Sequence, residues 1–160
     1  MKGVIHDRVF KTYTYMNLVT QPIREEVVKY NWLISNYECN CYPDKRISFE
    51  NEYAWISGED LLSIVNQYDI QFVWGVFSAF PKEIELDDVL KYDLPCAAGC
   101  AEFWHNPISI QHPMAIMELV PWDSTLFLLI SKEDEIVNKF ISAFPECKDL
   151  EIYNKEVIQG

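Results

Sequence analysis

A chain of 160 residues, 49% hydrophobic and 14% aromatic, is long enough for one domain with a substantial core, which excludes disorder as a description of the whole. Its 13 basic and 25 acidic residues leave a net charge of −12, a field that repels phosphate and so argues against nucleic acid and anionic membranes as partners. The longest apolar run, around Leu126–Ile130, is far too short for a membrane helix, and the first residues lack a signal-peptide stretch, so the expectation is one cytoplasmic domain over residues 1–160.

In chain order, the β-branched and aromatic run Val9–Tyr15 predicts a strand. Thr20-Gln21-Pro22 has the form of an N-cap with proline in the first turn, followed by a short helix to about Tyr30. Asn31–Cys39 predicts a strand running on toward Tyr42, and Tyr53–Ile56 another. Ser57 and Asp60 stand at capping-box spacing ahead of a helix whose apolar face is Leu61, Leu62, Val65 and Tyr68. The nearly unbroken apolar run Phe72–Phe77 reads as a central strand covered on both faces, ending at Pro81. Glu85–Leu90 predicts a short acidic helix and Ala101–Trp104 a strand.

Met114–Val120 and Thr125–Ile130 predict a hairpin across Pro121-Trp122-Asp123-Ser124. Ser131 and Asp134 repeat the capping-box spacing, and the helix after them should bury Ile136, Val137, Phe140, Ile141 and Phe144. Lys148–Tyr153 closes the chain as an edge strand. Strands outnumber helices without alternating strictly with them, which predicts an α+β domain: a mixed or antiparallel sheet with helices packed on it. Trp74, Val76, Leu126, Leu128, Phe140 and Ile141 are the expected core.

The charge is unevenly placed. Residues 1–55 hold seven basic and seven acidic groups, so the whole −12 lies in residues 56–160. Such a surface attracts a basic protein and accelerates its association. The densest carboxylates are Glu83, Glu85, Asp87, Asp88, Asp93 and Glu102, with Trp104 just after them. An aromatic that anchors beside carboxylates that steer is a plausible contact for a basic partner.

Signs of catalysis are weak. The chain contains no phosphate-binding glycine loop, no dinucleotide turn, no His-Glu-x-x-His and no Gly-x-Ser-x-Gly. The five cysteines, odd in number, are expected to be reduced, and Cys39 and Cys41 should share one face of a strand. Cys96, Cys100, His105 and His112 form an alternative reading as a small zinc protein or enzyme, although their spacing matches no familiar zinc motif. His112, Glu118, Asp123 and Ser124 in or beside the hairpin read as turn chemistry. No cofactor is expected.

The phrases Ile116–Asp134 and Phe144–Leu150 resemble small acidic bacterial immunity proteins, which are encoded beside contact-dependent growth-inhibition toxins. These families share no catalytic set, so the resemblance carries no site residues with it. What it implies is a non-enzymatic binding protein that neutralises a cognate, basic toxin domain, with a nuclease as one case. A regulatory binding protein of another kind is the remaining alternative.

Overall fold

Two ten-residue strands, β2 (Tyr30–Cys39) and β4 (Phe72–Pro81), pair with each other through the centre of the molecule. They belong to a seven-stranded sheet in the order β3-β2-β4-β5-β6-β1-β7, in a computed structural model that describes residues 1–7 and 15–158. The other strands are β1 (Lys2–His6), β3 (Tyr53–Ser57), β5 (Met117–Trp122), β6 (Leu126–Ser131) and β7 (Lys148–Asp149). Every pairing is antiparallel, so the fold is α+β.

Side chains alternate across a strand, and here both faces are covered. Trp32, Ile34, Phe77, Leu119 and Leu129 point to one face, where they meet α1 (Met16–Thr20), α2 (Arg24–Val27), α3 (Gly58–Gln67) and α5 (Asp134–Ala143). Leu33, Val76, Val120, Leu128 and Ile130 point to the other. That second face is covered by the 82–116 segment, which contains only α4 (Leu86–Val89) and a 3-10 turn at Glu102–Trp104, and by α6 (Leu150–Ile158).

Local signals explain much of this. The Ser57 hydroxyl accepts the Asp60 N–H at 3.1 Å, as the capping spacing predicts, and α3 buries Leu61, Ile64 and Val65. Gly58 opens that helix because a Cβ there would lie 1.9 Å from the Val27 carbonyl oxygen, so only glycine lets α3 approach α2. In the β5–β6 hairpin, Asp123 and Ser124 both have positive φ (48° and 56°), as a type I′ turn requires.

Several expectations are corrected. Thr20 precedes the 3-10 turn Gln21–Ile23, with Pro22 in its first turn, but its side chain does not cap it: a helix already begins at Met16, and the Thr20 hydroxyl donates back to the Met16 carbonyl at 2.6 Å. Ser131 remains in β6, and its hydroxyl accepts the Glu133 N–H rather than that of Asp134. Ala101–Trp104 is not a strand but leads into the 3-10 turn. Of Lys148–Tyr153, only Lys148–Asp149 pairs with β1; the Asp149 carboxylate then accepts the Ile152 N–H and turns the chain into α6. β2 ends at Cys39, so Cys39 is buried while Cys41 is exposed.

Val76, Leu128 and Phe140 are fully buried, whereas Trp74 and Leu126 are only half-buried and Ile141 is exposed. The buried stripe of α5 is Ile136, Val137 and Phe140, and Ile141 stands one position round from it. The Val9–Tyr15 strand falls almost wholly outside the described residues; Tyr15 makes a bridge to Gln71.

Candidate interaction surface

Pro81 closes β4, and the chain then crosses the sheet as an acidic segment. Glu83, Glu85 and Asp87 are exposed on or just before α4. Asp88 is paired with Lys91 at 2.5 Å, and Lys82 reaches out of the segment to Glu59 at 2.8 Å. Among the described residues no ion pair engages Glu83, Glu85, Asp87, Asp93 or Glu102. The structure brings Asp93 and Glu102 together: both line an open cleft of about 340 Å³ with Pro95, Cys96, Ser109 and Gln111. The four carboxylates around α4 do not line it.

Trp104 is half-buried rather than free. Its ring lies 4.9 Å from Trp122 edge to face and 6.2 Å from Tyr153, and Trp122 in turn meets Trp74 at 5.0 Å. The four rings form a chain of contacts packed, partly buried, against the core of the face that the acidic segment covers.

Irregular backbone needs partners for its N–H and C=O groups. Glu118, Gln111 and Asn36 supply them, and none of the three was among the binding residues the sequence suggested. Glu118, the second residue of β5, is fully buried; its carboxylate accepts hydrogen bonds from the N–H groups of Gln111 (2.9 Å) and His112 (3.1 Å) and from the Ser78 hydroxyl (3.1 Å). Burial pushes its carboxyl up to about 7, against the pull of those hydrogen bonds. The Gln111 carboxamide accepts from the Cys96 N–H and donates to the Cys96 carbonyl. The Asn36 side-chain oxygen accepts from both Ala97 and Ala98 at 2.7 Å. A lone carboxylate inside the apolar run Ala115–Val120, and a lone serine inside Phe72–Phe80, were the available signals. Glu118 is therefore not a turn residue; Asp123 and Ser124 form the hairpin turn, and His112 opens a separate turn in which its carbonyl accepts the Ala115 N–H at 3.0 Å.

His112 is buried between Phe80 and Tyr92, with ring centroids at 4.7 and 5.3 Å. Its Nε2–H donates to the Val89 carbonyl and its Nδ1 accepts the Met114 N–H, while burial lowers its pKa and holds the ring neutral. Cys96 and Cys100 are not reduced thiols: they form a disulfide with Cα atoms 6.0 Å apart, closing a loop in which Gly99 takes φ of +81°. Burial raises the pKa of Cys39, and pushes that of Cys147 up to about 12, so both thiols stay protonated. His105 is exposed, and among the described residues no three His, Cys, Asp or Glu side chains form a group that could hold a metal ion. No helix among the described residues is long and apolar enough to cross a membrane.

Compared with protein-family models, with curated proteins and with solved structures, the chain has no match in any of the three.

Proposed function

We propose that this chain is a non-enzymatic binding protein of the immunity type, acting in the cytoplasm, which neutralises a basic toxin domain through its acidic covering segment. The observation that carries this reading is the set of five carboxylates on that segment, Glu83, Glu85, Asp87, Asp93 and Glu102, that no ion pair among the described residues engages. Carboxylates left uncompensated on one side of a protein steer and pair with a basic surface. Two chemistry-bearing side chains of the same region are committed to structure instead: Glu118 is sealed and both nitrogens of His112 are engaged. In a reducing compartment the 96–100 loop would still keep its four hydrogen bonds to Asn36 and Gln111, so its shape does not depend on the disulfide alone.

The test is charge reversal of Glu85, Asp87 and Asp88 to lysine, with binding measured at two salt concentrations to the toxin domain encoded beside the gene. Slower association, a flatter salt dependence and weaker protection of cells making the toxin are the expected results. Unchanged affinity and salt slope in a folded variant would remove this segment from the interface. If the wild-type chain fails to bind that toxin, the immunity reading falls.

A further inference from the structure

β2 departs from regular pairing with β4 twice in succession, between Ser35 and Glu38 and again between Glu38 and Cys39; the first departure is the one that bears on the surface. Ser35 lies opposite Val76 and Glu38 opposite Trp74, so one extra residue is accommodated between them, and Asn36 takes a left-handed backbone with φ of 47°. Bulges of this kind re-aim side chains. Beside this one lies a pocket of about 270 Å³ whose lining residues include Trp74, Tyr37, Glu38, Glu52 and Asn51. Both glutamates are exposed, and neither is in an ion pair among the described residues. In the neighbouring loop Arg46 is already held by Asp44 and Asp60, and Lys45 does not line the pocket.

We propose that this pocket receives a cationic side chain, the guanidinium or ammonium group of an arginine or lysine on a bound basic protein. An indole attracts a cation to its π face, and carboxylates at the rim neutralise the charge. The aromatic row that begins at Trp74 holds a cation of its own at the far end, where the Lys148 ammonium lies 5.6 Å from the Tyr153 ring centroid. Charge complementarity selects the occupant: the chain carries −12, and no cationic residue lines the pocket. The site is also continuous with the surface described above. Ala98 lines this pocket and Cys96 lines the Asp93–Glu102 cleft, so the two flank a single disulfide-closed loop. Phe49, two residues before Asn51 in the chain, is 74% exposed with its ring edge-to-face on Tyr42 at 5.9 Å, an exposed aromatic of the kind that anchors interfaces. The proposal rests on the basic-partner reading and assigns it a second contact.

The experiment titrates 15N-labelled protein with N-acetyl-arginine amide and N-acetyl-lysine amide, following the Trp74 indole N–H resonance assigned through Trp74→Phe. The expected result is a saturable shift with both cationic probes and none with N-acetyl-glutamine amide. The double variant Glu38→Gln/Glu52→Gln, whose sites are exposed and whose fold is checked by its unchanged amide spectrum, should bind the cationic probes at least threefold more weakly. A shift that is absent, that rises linearly without saturating, or that is indifferent to the double variant would overturn the proposal. So would saturable binding of choline with no response to the arginine and lysine probes. Because the probes need no toxin, a flat titration alongside toxin binding that still responds to charge reversal at α4 removes the pocket alone. A wild-type chain that takes the probes but binds no toxin removes the broader reading alone.

Discussion

The two faces of the sheet are covered in different ways. On one, helices α1, α2, α3 and α5 present apolar residues to Trp32, Phe77, Leu129 and their neighbours, and the ten-residue α3 and α5 pair much of their own backbone internally. Polar contacts on that face are few: the buried Trp32 indole N–H donates to the Val27 carbonyl at 2.9 Å, where α2 ends, and Glu26 and His6 reach Lys139 and Glu146. On the other face most of the cover is an irregular segment. There the sheet itself provides polar anchors from buried positions: Ser35 donates to the Pro95 carbonyl at 2.6 Å, and Ser78 and Glu118 form the network beneath residues 111 and 112. A helical cover needs hydrogen-bond partners mainly at its helix ends, as Trp32 provides for Val27, whereas a loop cover needs them at fixed places along its length. The irregular cover leaves its outward side free for charge, and the unpaired carboxylates and both clefts lie on it or beside it.

This contrast can be broken by experiment. Phe140 on the helical face is fully buried and packed against Phe127 and Phe144 at 5.6 and 4.8 Å. Phe140→Ala should cost about 3–5 kcal/mol in urea unfolding; a loss below about 1 kcal/mol would show that α5 is not a main source of stability. On the loop face, Glu118→Ala orphans two backbone N–H groups and the Ser78 hydroxyl. It should cost about 3 kcal/mol, since each unsatisfied buried donor costs roughly 1–3 kcal/mol and some are reached by water. A neutral result would mean that the cover is held by apolar contact after all.

Glu118 also makes the loop face pH-dependent. Its carboxyl titrates near 4.5 when unfolded and about 7 when folded, so across that window the folded chain binds the extra proton. Stability therefore falls as pH rises from 4.5 to 7 and levels off above, by about 3 kcal/mol at most. Glu118→Gln should flatten this part of the profile in melting experiments, and a wild-type profile that rises through the window would contradict the assignment.

Asn36→Ala removes the acceptor shared by Ala97 and Ala98. It should cost about 1–2 kcal/mol and speed amide exchange mainly at residues 96–100, where Asn36→Gly, which tolerates the left-handed backbone, separates the lost hydrogen bonds from strain. The smallest effect is expected at the outer surface: the lysine reversals at Glu85, Asp87 and Asp88 should shift stability by less than about 0.5 kcal/mol.

Much of the helical face was legible beforehand. β2, β4, α3, α5 and the β5–β6 hairpin follow from signals that act within one element: an apolar run, a 3.6-residue stripe, the Ser57 cap, and turn residues that tolerate positive φ. The loop face was legible mainly as charge. The acidic segment stood out, but the residues that hold it down did not, because Glu118, Asn36 and Gln111 act on partners up to 62 positions away.

The sequence by itself determined the class, the two long central strands and the acidity of residues 56–160, because each depends on composition or on neighbours within a few residues. Only the tertiary structure decided that Lys148–Tyr153 turns into a helix, that Ala101–Trp104 is a 3-10 turn and that Cys96 meets Cys100. In segments this short, propensities differ by less than about 1 kcal/mol per residue, and the surrounding contacts outweigh them. The buried position of Glu118 was decided in the same way, since a carboxylate enters an apolar sheet only where the finished fold supplies its hydrogen-bond donors.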